Sequence, residues 1–165
     1  MLSRLVPPNR VKLNGIIRRA VGQAGGHAVE MRADESFAVF ERAEDGIGAA
    51  VALQRGLVAT TWPADLAVSV RAGLHSGDTT LTDGGYVGLA VHAAARVAAA
   101  AHGGQILVSG ECRRAAGRPV VDVGFHSLGR HRCAGFADPM EVFQVEAPGL
   151  RLDFPKVRRR SPVSR

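Results

Sequence analysis

Helical spacing opens the readable part of the chain. In LNGIIRRAVGQAGGH, Leu13, Ile16, Ile17, Ala20 and Val21 fall on one face, and Gly25-Gly26 stops the helix. The period then changes to two: Val29 and Met31, then Phe37 and Val39, alternate on either side of ADES. This predicts a hairpin with Asp34 and Glu35 at or beside its turn. From Ala43 to Ala59 the helical period returns through Ile47, Ala50, Val51, Leu53, Gln54 and Leu57, and Trp62-Pro63 ends it. LAVSVRAGLHSG reads as a strand with Leu66, Val68, Val70 and Ala72 on one side, leaving at Gly73 and Gly77. A Gly/Asp-rich connection leads into an Ala-rich helix from Leu89 to Ala101, stopped by His102-Gly103-Gly104. QILVS is a short buried strand, Gly110 to Arg118 a short helix or turn, and VVDVGFHSLGRHR and MEVFQV are further strands. That order predicts an α+β domain with a mostly antiparallel sheet.

Composition narrows the core. The chain has one domain's length at 165 residues, and 46% of it is hydrophobic but only 5% aromatic, so small aliphatic side chains must fill the interior. No apolar run approaches the roughly 18 residues of a membrane span. The start, MLSRLVPPNRVK, has no apolar stretch of signal-peptide length before Pro7 and Pro8, so a cytoplasmic protein is expected. Cys112 and Cys133 fit no C-x-x-C spacing and read as free buried thiols of a reducing compartment.

The net charge of +6 is unevenly spread: residues 1–19 carry +5, residues 151–165 another +5, and the body between them −4. Basicity therefore belongs to the ends. Residues 1–12 read as an irregular basic N-terminus, 13–147 as the domain, and 148–165 as a basic disordered tail. A tail such as KVRRRSPVSR is also the composition of a nucleic-acid or membrane arm.

Four strings, in order, resemble the class III nucleotidyl cyclase domain, the family that makes cyclic AMP or cyclic GMP. VEMRADESFAVF resembles its metal-binding hairpin, VRAGLHSGD a strand and its exit, YVGLAVHAAARVAAAAHGGQILVS the loop, catalytic helix and next strand, and LGRHRCAGFADPMEVFQV the late hairpin. The resemblance spans roughly residues 13–147. It implies a ferredoxin-like fold with a mostly antiparallel sheet, and a domain that works as a head-to-tail pair with shared nucleotide sites. One subunit would supply two aspartates for Mg²⁺ or Mn²⁺; the other would supply base-reading residues, a ribose-orienting residue and an arginine for the reacting phosphate.

By that resemblance Asp34 takes the position of the second metal aspartate, although aspartate also favours turns. Arg96 takes that of the phosphate arginine, set among Ala and Val where a lone charge needs a partner. His92, one helical turn earlier, stands where the family has asparagine; it offers one donor and one acceptor, and is equally an ordinary packed or helix-surface histidine. Glu30 replaces a base-reading lysine, Gly85 its aspartate partner, and Ala134 a lysine that meets the triphosphate. The family's first strand, with the other metal aspartate, has no counterpart in this chain. No G-x-x-x-x-G-K-[ST] is present, so Gly84, Gly85 and Gly88 read as turn glycines, and His75 and His102 as structural histidines.

Three functions follow. The first is cyclisation of a purine nucleoside triphosphate, ATP by family resemblance, with release of pyrophosphate, impaired in the isolated chain. The second is a non-catalytic module that forms a homodimer, or a heterodimer with an intact cyclase. The third is nucleic-acid binding through the basic tail.

Overall fold

The computed structural model describes residues 7–32, 34–64, 66–133 and 136–158, with the backbone alone over 28–32. The elements are α1 (Pro7–Gln23), β1 (His27–Arg32), β2 (Glu35–Val39), α2 (Ala43–Ala59), β3 (Ala72–Leu74), β4 (Thr80–Thr82), β5 (Gly85–Val87), α3 (Leu89–Ala100), β6 (Ile106–Ser109), α4 (Gly110–Ala115), β7 (Gly124–His131) and β8 (Met140–Glu146). The α+β class and the mostly antiparallel pairing follow the sequence reading. In the four-stranded sheet, ordered β3-β6-β8-β7, only β3 and β6 run parallel.

Alternation along β6 builds two layers of core. Ile106 and Val108 join Ile47, Ala50 and Val51 of α2 and Cys112 of α4, while Leu107 points the other way, onto Ala93 and Val97 of α3. All four residues of β6 are buried. A third cluster ties Leu13, Ile17 and Val21 of α1 to Leu57 of α2, with Ala38, Phe40, Val68 and Val70 packed against it. That helical pair is what the β1–β2 hairpin rests on.

Four expectations need correction. First, α1 begins at Pro7, so residues 7–12 of the expected irregular start are helical. Proline suits the first turn of a helix, where its missing N–H has no partner to lose, so Pro7-Pro8 open the helix instead of delaying it. Second, of the strand expected over LAVSVRAGLHSG, only Ala72–Leu74 forms a ladder. The described residues from 66 to 71 keep the alternating exposure of a strand, but no strand among the described residues pairs with them. The Val70 carbonyl instead accepts from the Gln54 side chain at 2.8 Å and from the Gly104 N–H at 2.9 Å.

Third, the Gly/Asp-rich connection contains a small antiparallel hairpin, β4–β5, turned by Asp83-Gly84. Its exposed Thr-Leu-Thr strand buries too little to show in the hydrophobic pattern. Fourth, residues 148–158, expected as part of a disordered tail, are bonded to the domain. Arg55 donates to the Pro148 carbonyl at 3.1 Å, Gln144 to Leu152 at 2.8 Å and His102 to Lys156 at 2.9 Å. The rest of the expected tail, residues 159–165, lies outside the described residues, as do 1–6.

Candidate functional site

The segment from Tyr86 to Arg96 is positioned by close packing of small residues. A Cβ at Gly73 of β3 would run into the backbone of Ala98, and one at Gly77 would come 2.9 Å from the Ala90 Cβ. Glycine at both positions lets α3 lie directly on β3 and the chain that leaves it. Gly88, with φ 136°, turns the chain from β5 into the helix in a conformation that other residues rarely adopt.

On α3, His92 is exposed and Arg96 half-buried one turn later. No hydrogen bond or ion pair to Arg96 is found among the described residues. Its neighbour is a thiol: burial pushes Cys133 up from its ordinary value, and the Arg96 charge opposes part of that rise. Arg96 is therefore within electrostatic reach of Cys133, two residues past the end of β7, while Ala134 lies outside the described residues. Gly85 sits in β5 with φ 106°, its carbonyl accepting from the Thr82 hydroxyl at 2.9 Å. A Cβ there would meet nothing within 4 Å.

Asp34 lies in the turn between β1 and β2, as the alternation predicts, and is exposed, as is Glu35. The side chain of Glu30 lies outside the described residues. Nothing described bonds Asp34 to His92 or Arg96; the hairpin turn and α3 belong to different parts of the domain. No group of three or more His, Cys, Asp or Glu side chains that could hold a metal ion occurs among the described residues. One exposed aspartate and a neighbouring glutamate do not make a two-metal centre, so the donor set among the described residues does not by itself fit Mg²⁺ or Mn²⁺.

The histidines read as structural have structural partners. His75 Nδ1 shares a 2.8 Å hydrogen bond with Ser109 Oγ, which also accepts the Cys112 N–H at the start of α4. Burial holds His75 below its ordinary value, with Glu111 at 3.9 Å opposing the shift. His75 opens onto a groove of about 580 Å³ whose charged lining includes Asp78, Glu111, Arg114 and Glu141. Asp34, His92 and Arg96 do not line it. Cys112 is buried and free as expected; Cys133 is free but only half-buried.

Sequence reasoning missed the pair Gln105 and Gln144, 2% and 4% exposed and joined side chain to side chain at 2.7 Å. A glutamine inside each of the apolar runs GGQILVS and EVFQVE was the available signal, since a buried amide requires partners.

With the geometry in view, the likenesses to known proteins become informative. No family model matches the chain. Proteins of Mycobacterium tuberculosis and Mycobacterium bovis, themselves uncharacterised, are 34% identical over 157 residues, covering 92% of this chain and 53% of theirs. The chain thus spans about half the length of these relatives. Among solved structures, an adenylate/guanylate cyclase/hydrolase from Silicibacter pomeroyi superposes with a TM-score of 0.73 at 28% identity, over 90% of this chain and 91% of that one. An adenylate cyclase from Trypanosoma brucei reaches 0.78 at 19% identity, over 90% and 84%. The guanylate cyclase domain of a Catenaria anguillulae protein, in complex with GTP, reaches 0.73 at 20%, over 88% and 87%. Together with the four strings in register, these likenesses give the chain the fold of a class III nucleotidyl cyclase domain. No helix among the described residues is long and apolar enough to cross a membrane.

Proposed function

We propose that this chain supplies the arginine half of a shared purine nucleoside triphosphate site, pairing with a cyclase subunit that carries the metal half, and that alone it turns over little nucleotide. The observation that carries this reading is the contrast between Arg96 and Asp34. Arg96 is half-buried on a helix packed without slack against the sheet, and no carboxylate among the described residues neutralises it. Asp34 is exposed on a hairpin turn, and among the described residues no group of three or more metal-ligating side chains gathers there. A guanidinium carried on a firmly seated helix and free of an ionic partner among the described residues is suited to the charge that develops on a reacting phosphate. His92, one turn away, is exposed and able to meet a ribose hydroxyl with one donor or one acceptor.

The test is complementation. An intact class III cyclase whose own phosphate arginine has been removed is mixed with this chain, and cyclic nucleotide is measured with ATP or GTP and Mn²⁺. Restored activity that disappears with Arg96→Ala is expected; silence with the unmodified chain sinks the reading. The chain by itself is expected to form product only at the level of its Arg96→Ala variant. Product clearly above that control would favour the self-sufficient enzyme, converting ATP to cyclic AMP as a homodimer, over the half-site reading.

A further inference from the structure

The chain does not simply end after β8. From Leu150 it returns across the molecule to the far end of α3, and four contacts hold it there, with the Phe154 ring passing close to Gly104. Gln144 Nε2 donates to the Leu152 carbonyl at 2.8 Å. The Phe154 ring lies 4.0 Å from where a Cβ on Gly104 would stand. His102 Nε2 donates to the Lys156 carbonyl at 2.9 Å. Val157 packs on the cluster formed by Ala93, Val97, Ala100 and Ala101 of α3 and its end. Arg158 N–H donates to the Ala100 carbonyl at 3.0 Å, satisfying one of the terminal carbonyls that a helix leaves without an internal partner.

Two of these contacts belong to one continuous polar network. Gln144 accepts from Gln105 at 2.7 Å, and Gln105 accepts the His102 N–H at 2.9 Å through its own side-chain oxygen. The path therefore runs from the Leu152 carbonyl through Gln144, Gln105 and His102 to the Lys156 carbonyl. Its two central amides are almost wholly buried, where an unpaired donor is costly. Without the returning segment, Gln144 Nε2 would lose its 2.8 Å acceptor and keep only Glu146 Oε1 at 3.5 Å. Losing the segment would weaken that end of the network as well as uncover an apolar patch.

We infer that residues 152–158 are a latch on α3: while seated they hold the last turn of the helix that carries Arg96, and tension or binding on the chain beyond Arg158 would be transmitted to that arginine. Arg96 stands one turn before Ala100, the residue the latch caps. Fraying from the C-terminal end would reach it within that turn. The link to Arg96 rests on the half-site reading above, whereas the latch itself does not.

Amide hydrogen exchange decides the latch. The full chain is compared with a chain ending at Pro155 and with the single variants Val157→Asp and His102→Ala. Exchange at Val97 to Ala101 is expected to rise about tenfold or more, while Leu107 and Val142 in the sheet stay as slow as before. Unchanged exchange at the end of α3 in folded variants would overturn the latch. If the shortened chain fails to fold, the His102→Ala chain, which loses only one bond at the surface, decides the question. Complementation with the same variants then tests the coupling. Several-fold weaker rescue is expected, and undiminished rescue alongside a loosened α3 would overturn the link to Arg96. Absence of rescue by the full chain would instead remove the half-site reading and leave the latch to the exchange data.

Discussion

On the side of the molecule that carries Arg96, β6 runs between β3 and β8, and all four of its residues are buried. On the side that carries Asp34, the β1–β2 hairpin forms a two-stranded ladder of its own, and the residues of β2 are exposed or half-buried. The residues facing it across α1 and α2, Val68 and Val70, are also half-buried and belong to no ladder. One region is held by sheet bonds and by helices on both faces, the other chiefly by one helical pair. An isolated two-stranded ladder is marginal in water unless something packs on it. The unequal support matches the proposed division of chemistry: Arg96, proposed for the phosphate, is on the braced side, and Asp34, expected as a metal aspartate, on the other.

The harshest way to break this comparison is to damage the braced side at its tightest point. Gly73→Val would place a branched side chain where the backbone of Ala98 already lies. No rotamer relieves a clash with backbone, so a loss of about 3 kcal/mol or more is expected. Urea unfolding measures it. A Gly73→Val chain as stable as the parent would mean that α3 is not seated on β3 as described, and Arg96 would lose its fixed position.

A graded pair sharpens the same contrast. Leu107→Ala empties a site with 0% exposure between α3 and the sheet, for which a cost of about 3 kcal/mol is ordinary. Val70→Ala removes less carbon from a half-buried position beside the hairpin and should cost about 1 kcal/mol. Both are read from the denaturation midpoint at constant slope. Equal losses would show that the hairpin side is as well packed as the other, and the asymmetry would have to be abandoned.

How much of this was legible depended on how many neighbours each element has. The helix over Ala43 to Ala59 was readable to the residue, and that ending in Ala100 to within one, because each presents a continuous apolar stripe to a completed layer. Asp34 was placed correctly at its turn for the same local reason. LAVSVRAGL was misjudged as a full strand because alternation records which side of a segment is buried, not whether another strand lies beside it. The β4–β5 hairpin escaped because Thr80 to Thr82 are all exposed and carry no burial signal. The returning segment escaped because two of its bonds are made by carbonyls, accepting from His102 and Gln144, which any sequence could supply. At the site, the family resemblance suggested Arg96, but its thiol neighbour and the absence of an ion pair to it among the described residues are facts of tertiary packing.

The smallest expected effect concerns the braced side alone. Burial lowers the His75 value below its ordinary 6.5, with Glu111 partly opposing. As pH falls, the unfolded chain therefore takes up this proton before the folded one does. Stability from this group is whole above the ordinary value, declines as pH falls through it, and stops declining below the lowered folded value. His75 is only half-buried, and Asp78 and Glu111 line the same groove, so the slope should be shallow. The His75→Asn substitution keeps a side-chain group in reach of Ser109 Oγ but cannot titrate. Melting temperatures of parent and variant, compared between about pH 8 and pH 5, should diverge only in the lower part of that range, with the parent losing more. A parent that gained stability on acidification relative to the His75→Asn variant would show that the Glu111 attraction outweighs burial, placing His75 in the groove instead of against the sheet.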